Sequence, residues 1–387
     1  CDPTEHCSSG LTFLSSIPSS IILTGGVMEI IRMTQLKRAS IPFVLAAFLA
    51  VPITMVGTQP ESVGFGLTIV EGVRVGHHTL VERPTGCTVV LTEAGAVTGV
   101  DVRGGAPGTR EVALLDPVNT IQKVHGIVLS GGSAFGLDTA TGVVRYLEER
   151  GIGFQTRTAH IPIVPAAILM DLGFGSPPEI RPTAECGYRA AMAASSGVIE
   201  EGNVGAGAGA TIGKFRGPER AMKAGIGTAS IKLQSGLTVA ALVAVNAVGD
   251  IINPATGRVI AGVRTENGLE LADARVLLRT GEVTDASTGE NTTIGIVATN
   301  AILTKSQATK MAQMAHDGYA RAIVPVHTPF GGDTIFAMAT GTFDSTISLT
   351  TIGALAADVM AKAIVRAATQ ATGVAGYPAA RDLDSTH

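Results

Sequence analysis

Tryptophan is absent from the 387 residues, aromatic side chains make up 4% and charged ones 16%. A typical soluble domain carries about 25% charge, so the chain has few groups to spend on a large solvated surface. Disorder is excluded, because it needs high charge and few apolar side chains, whereas 45% of this chain is hydrophobic. The net charge of −4 gives no basic footprint for nucleic acid. Glycine is plentiful, at 48 residues, but without the strict triplet period of collagen. Cysteine is sparse: Cys1, Cys7, Cys87 and Cys186 contain no Cys-x-x-Cys pair, which removes the usual metal and redox motifs and reads as buried or free thiols. Histidine shows no His-Glu-x-x-His or other metal spacing. His77, His78 and His327 read as structural histidines.

What is present divides into a leader and a body. The chain starts on Cys1, with Met28 and Met33 as candidate initiators. From Met33 a short basic segment precedes the uncharged, mostly apolar run Ile41 to Gly57. This fits a secretory signal better than a spanning helix, which needs about 20 residues. An uncleaved anchor, or a translated stretch ahead of a cytoplasmic enzyme, are the other readings. Residues 1–61 are set aside as leader, leaving a body of 62–387.

The body alternates short β-rich runs with helical periodicity. Strands are predicted at Cys87 to Glu93, Gly126 to Ser130, Leu237 to Ile252, Thr293 to Asn300 and Thr334 to Gly341. Helices are predicted at Ala134 to Arg150, Ala184 to Ser195, Lys305 to Ala322 and Leu349 to Thr372, the last with Ile352, Leu355, Val359 and Ala363 on one face. The irregular interleaving points to layered α/β packing rather than a regular βαβ array. Arg279 to Glu290 is polar and reads as an exposed loop.

Several familiar motifs fail on inspection. Gly213–Lys214 lacks both the first glycine and the Ser/Thr of a phosphate loop. Gly205-x-Gly207-x-x-Ala210 matches a dinucleotide fingerprint only loosely, with no clear strand leading into it. Ser133 lies in GGSAFG, where Phe135 breaks the nucleophile-elbow pattern, and reads instead as a residue near a helix cap.

One junction carries chemistry. Asn291–Thr292 joins the polar loop to an apolar strand. A threonine becomes a nucleophile with its own base when its α-amino group is freed, and that amine has a pKa near 8. An internal threonine reaches this state by attacking the preceding carbonyl. On local physics alone, a strand-entry threonine is the preferred reading of Thr292.

The surrounding blocks decide between these readings. VRVGHHT (Val73 to Thr79), GVDVRGGAPGTRE (Gly99 to Glu111), LSGGSAFGLDTATGV (Leu129 to Val143) and PIVPAAILMDL (Pro162 to Leu172) occur in order. They continue in GNVGAGAGATIGK (Gly202 to Lys214), VNAVGD (Val245 to Asp250), NTTIGIVATN (Asn291 to Asn300) and HTPFGGDTIFAMATG (His327 to Gly341). Together they resemble the L-aminopeptidase/D-esterase family of self-processing N-terminal-nucleophile hydrolases, which includes the nylon-oligomer hydrolases.

The resemblance implies a four-layer αββα sandwich of the α/β (α+β) class. It implies a precursor cut at Asn291–Thr292 into an α chain (62–291) and a β chain (292–387). Thr292 would be the nucleophile, Asn246 an oxyanion donor, Lys214 a cation depressing the amine's pKa, and Asp333 an acid orienting the amine. Met170, Gly331 and Ser133 would face the substrate, a small peptide or amide. No metal or organic cofactor is implied, nor a nucleic acid or a stable membrane contact once the leader is removed. Oligomers of αβ units are expected. This chain departs from the nylon-hydrolase branch at Gly331, where an Asp is expected, and at Met170, where a Tyr is expected. Those departures keep a second reading open, a non-catalytic or acyl-transferring homologue acting as a binding or assembly protein.

Overall fold

A computed structural model describes residues 66–282, 291–344 and 347–383. The leader and most of the polar loop before Asn291 lie outside the described residues. The first half of the body supplies β1 (Arg74–Thr79), β2 (Gly86–Val102), β3 (Lys123–Ser130), α1 (Thr139–Glu148), β4 (Ala166–Ile168) and α2 (Ala184–Met192). The second supplies β5 (Ile226–Lys232), β6 (Thr238–Asn246), β7 (Thr292–Ala301), α3 (Lys305–Ala322), β8 (Thr334–Phe343) and α4 (Leu349–Thr369).

These strands form one continuous sheet in the order β5-β6-β7-β8-β2-β3-β4, ending on the short strand Thr109–Arg110, with β1 also paired to β2. Most neighbours are antiparallel. β7–β8 and β3–β4 are parallel. The hinge is β2. Its start, Cys87 to Leu91, pairs with β3, its end, Val97 to Val102, pairs with β8, and the register slips between Leu91 and Ala96. An irregularity of this kind bends a strand.

The bend folds the sheet onto itself, and side-chain alternation then sorts residues into layers. Leu242 and Ala244 of β6, Ile294 and Ile296 of β7 and Phe336 of β8 share one buried cluster with Val90 of β2 and Ile127 and Leu129 of β3. The opposite faces of β6 and β8, with Val243, Val245, Ile335 and Ala337, pack on α3 and α4. Val89 and Leu91 of β2 pack on α1 and α2. Helix, half-sheet, half-sheet and helix make the four αββα layers. The expected pair of sheets is thus one hydrogen-bonded sheet bent at β2.

Helix boundaries follow local chemistry. α3 starts at a capping box in which Thr304 and Gln307 satisfy each other's backbone N–H groups. Ser348 caps α4 by accepting from the Thr351 N–H. Small residues let the layers approach. A Cβ at Gly142 would strike the Ala184 carbonyl of the α2 segment, and one at Gly227 would strike the Ala363 carbonyl of α4.

Three expectations are corrected or refined. The run Leu237 to Ile252 is two strands, because Ala247–Gly249 turns the chain before Asp250–Ile252. Ser133 lies near the cap of a helical start, as expected, but Gly132 takes the cap position itself, and Ser133, with a φ of 55°, starts a 3₁₀ turn that passes into α1. Cys87 and Cys186 are paired as a disulfide between β2 and α2, with Cα atoms 6.3 Å apart.

The disulfide closes a span of 99 residues, for which loop entropy gives a stabilisation of roughly 4–5 kcal/mol. Reduction is expected to lower the urea midpoint of the wild type, whereas C186A melts at the reduced value with or without reductant. An unchanged wild-type midpoint on reduction would contradict the pairing.

Candidate active site

Strand β7 delivers Thr292 to the centre of the bent sheet. Its partner in the antiparallel register is Asn246, the last residue of β6. The residue before it, Asn291, bridges to Gly331. Asn291, Thr292, Asn246 and Asp333 are all buried. The junction expected to be scissile therefore lies inside the protein.

The local hydrogen bonds are specific. The Gly332 N–H points at two oxygens, 3.2 Å from the Asn291 carbonyl oxygen and 3.1 Å from Thr292 Oγ1. Thr292 Oγ1 in turn donates to the Asn291 carbonyl at 2.6 Å. A donor on a carbonyl oxygen, with a hydroxyl beside that carbonyl, is the arrangement that stabilises a developing oxyanion.

The loop carrying Gly332 is held by main chain. Ala106 N–H donates to the Gly331 carbonyl at 2.7 Å, and Arg103 N–H to the Asp333 carbonyl at 2.9 Å. A Cβ at Gly104 would collide with the Asp333 nitrogen and the Gly331 carbonyl, so glycine permits this flush contact.

Asp333 lies on the same loop. Its Oδ1 accepts from the Thr293 N–H at 2.8 Å. Its Oδ2 accepts from the His327 N–H at 2.9 Å and faces His327 Nδ1 at 3.1 Å. Tyr319 of α3 holds the other side of Thr293, donating to the Thr293 and Thr334 carbonyls at 3.3 Å each. Burial, and secondarily Asp333, push the Tyr319 phenol well above its ordinary range, so it is a neutral donor.

Asn246 links this centre to the glycine-rich segment. Its Oδ1 accepts from Lys214 Nζ at 2.7 Å and from the Thr211 N–H at 3.0 Å, while its Nδ2 donates to the Met170 carbonyl at 2.8 Å. One of the two Nδ2 hydrogens of Asn246 is thus committed to Met170, while the Gly332 N–H and Thr292 Oγ1 donate to the Asn291 carbonyl oxygen. Lys214, Met170 and Thr211 line a cavity of about 120 Å³ with Phe174 and Tyr377. Thr292, Asn291, Gly331, Asp333 and His327 line a cleft of about 10 Å³, room for about one water. Ser133 lines neither. Gly331 permits a close approach: a Cβ there would sit 3.2 Å from the Asn291 carbonyl oxygen, a tight contact, and 3.6 Å from Asp333 Oδ1.

The structure thus gathers Thr292, Asn291, Asp333 and Gly331 at one cleft, and Asn246, Lys214 and Met170 beside it. Sequence reasoning missed three contributors. Tyr319 sits inside an ordinary amphipathic helix and gives no signal. Gly332 and His327 fall within the block HTPFGGD, but a backbone N–H leaves no trace in side-chain identity.

Peptidase family S58 matches residues 66–381. The chain belongs to this family. It is a hydrolase acting on peptide or amide bonds. A Mycobacterium tuberculosis protein (strain ATCC 25618 / H37Rv) described as an uncharacterized aminopeptidase is 41% identical over 343 residues, 82% of this chain and 97% of that one. The 6-aminohexanoate-oligomer endohydrolase of Kocuria sp. (strain KY2) is 32% identical over 340 residues, 84% of this chain and 90% of that one. Among solved structures, the L-aminopeptidase D-Ala-esterase/amidase of Ochrobactrum anthropi, a variant of the N-terminal-nucleophile hydrolase fold, superposes with a TM-score of 0.62 at 20% identity, covering 83% of this chain and 92% of that chain. A Burkholderia sp. beta-aminopeptidase gives 0.59 at 24% identity, covering 80% and 87%. The fold is shared with these enzymes.

Behind the glycine segment lies a buried cation. Lys223 Nζ donates to the carbonyls of Gly207 (3.0 Å), Ala210 (2.9 Å) and Ala224. Burial lowers its pKa from 10.5 to about 7, with Asp171 opposing and Lys214 adding to the shift. The folded protein therefore releases this proton near pH 7, while the unfolded chain holds it to about pH 10.5. In that window the unfolded state binds more protons, so stability rises with pH, by up to about 1.4 kcal/mol per unit from this group. Urea unfolding at pH 7, 8 and 9 should show that rise in the wild type and lose it in K223M. An equal slope in both would assign the proton elsewhere.

Proposed function

We propose that this peptidase is made as a precursor that cuts itself between Asn291 and Thr292, and that Thr292 then hydrolyses amide bonds of small peptides or amino-acid oligomers. The observation that carries the proposal is the Gly332 N–H shared by the Asn291 carbonyl oxygen and Thr292 Oγ1, at 3.2 and 3.1 Å.

In the first step Oγ1 attacks the Asn291 carbonyl carbon. The C–Oγ bond forms, the Asn291–Thr292 C–N bond breaks, and the Thr292 nitrogen takes the proton that Oγ1 loses. Charge on the Asn291 oxygen develops against the Gly332 N–H. Water then adds to the ester, releasing the Asn291 carboxylate and returning a proton to Oγ1. The product is a free α-amine at Thr292, beside the Asp333 carboxylate.

In turnover that amine takes the Oγ1 proton as Oγ1 attacks a substrate carbonyl. It gives the proton to the leaving amine, and water resolves the acyl-enzyme. The opening offers apolar walls in Met170, Phe174 and Tyr377 beside the charged side chains of Asp171 and Lys214. That suits an acyl chain of modest size. Peptides, β-peptides and aminohexanoate oligomers are the substrates to try, given the activities named for the relatives. Assembly into oligomers of αβ units and export of the chain belong to the same proposal. The buried disulfide suits an oxidising compartment.

Denaturing electrophoresis with intact-mass analysis tests the cut. The expected result is a fragment beginning at Thr292 and running to His387, 96 residues in all. T292A is expected to stay intact and inert, and T292S to process, because it keeps a hydroxyl. A single uncut wild-type chain would sink the proposal, as would cleavage of T292A at the same bond.

A further inference from the structure

We propose that His327 is the positioning residue of this site, fixing the Asp333 carboxylate against the segment that carries the nucleophile. The inference rests on the self-processing reading above and adds a group that reading does not use.

His327 contacts Asp333 twice. Its backbone N–H and its ring Nδ1 both reach the same oxygen, Oδ2, at 2.9 and 3.1 Å. The other oxygen is left for the Thr293 N–H at 2.8 Å, one residue from the nucleophile. A carboxylate only accepts, so the Nδ1 contact places a proton on Nδ1. Among the described residues, His327 is the one titratable side chain bonded to Asp333. Gly331, two residues before Asp333, has no side chain to share the task.

The backbone supports the same reading. His327 has a φ of 56°, in the left-handed region uncommon for residues other than glycine. That conformation lets main-chain and ring donors converge on one oxygen, and strain of this kind collects at functional sites.

The ring is also held in place. It stacks on Tyr319 with centroids 6.0 Å apart and planes 21° apart, and meets His316 edge-on at 4.8 Å. Tyr319 donates to the Thr293 carbonyl. His327 and Tyr319 thus grip residue Thr293 from both sides, through Asp333 at its N–H and directly at its carbonyl. His316 is itself anchored by Nε2 on the Asp101 carbonyl at 3.1 Å.

The consequence concerns the amine that Thr292 gains on cleavage. Asp333 can orient it only if the carboxylate does not swing away once Asn291 leaves. The ring bond holds Oδ2 while Oδ1 stays on the Thr293 N–H.

The test compares H327N with H327G in the full-length chain. Both residues tolerate positive φ, so the backbone is preserved in each. Asparagine keeps an N–H near the Nδ1 position, and glycine keeps none. The readouts are the rate of appearance of the Thr292 fragment, kcat and KM on a short amide substrate, and the melting temperature. H327N should retain most of the wild-type processing rate and kcat. H327G should lose roughly tenfold or more in both, the loss expected for a hydrogen bond to a charged group, with KM little changed. If H327G matches H327N, the ring donor has no positioning role and the proposal is overturned. The same follows if both variants fall together with a matching loss of melting temperature. A wild type that neither processes nor hydrolyses defeats the self-processing reading itself, and this proposal with it.

Discussion

One amide side chain, that of Asn246, holds three separate parts of the chain in register. Its backbone closes the β6–β7 ladder opposite Thr292. Its carbonyl oxygen gathers Lys214 and the Thr211 N–H, and its amino group takes the Met170 carbonyl. No other side chain of this size offers an acceptor and a donor back to back. An aspartate would keep the first set and lose the second. A leucine would leave buried groups unpaired at a cost of about 1–3 kcal/mol each. The glycine-rich segment, the Met170 segment and strand β7 depend on one another through this residue.

The composition follows from the same architecture. Four layers put both faces of most strands against protein, which leaves little surface for charge. α4 packs on the sheet through alanines such as Ala356, Ala363 and Ala367, so small residues replace aromatic ones at the layer contacts. The site is built largely from main chain. Residues 103–106 lie flush on residues 328–333 and hold the Gly332 N–H in place. A backbone donor costs no side-chain entropy and cannot rotate away, which suits preorganisation.

How legible this was in the sequence depended on the kind of signal. Periodicity located Lys305–Ala322 to the residue, because a capping box and a long amphipathic pattern agree there. The ordered blocks pointed to the family and to the Asn291–Thr292 junction. Apolar content alone could not show the turn at Ala247–Gly249, since a buried turn and a buried strand share the same residues. The Cys87–Cys186 pair was invisible because sequence separation carries no information on distance across a bent sheet. Ser133 marked the neighbourhood of a cap, but not that Gly132, at φ 84°, takes the cap position itself. His327 looked like an ordinary loop histidine, because its meaning comes from Asp333 six residues on.

The buried charges behind the site follow a related logic. Arg83, 1% exposed, donates to the carbonyls of Phe174, Ile180 and Asp171 as well as to the Asp171 carboxylate. Lys223, fully buried, donates to three carbonyls of its own. Three of these carbonyls, those of Asp171, Gly207 and Ala210, also accept from a backbone N–H, while those of Phe174, Ile180 and Ala224 rely on the cations, and a buried carbonyl without a partner is expensive. Water could satisfy them only if the loops opened. A long cationic side chain does so from within, and fixes where each loop sits. Burying ions is a poor route to stability, since desolvation offsets much of the attraction. Here the return is a single arrangement of the loops around Met170 and Lys214. That arrangement fixes the lining of the cavity of about 120 Å³ that Met170 and Lys214 share with Phe174 and Tyr377.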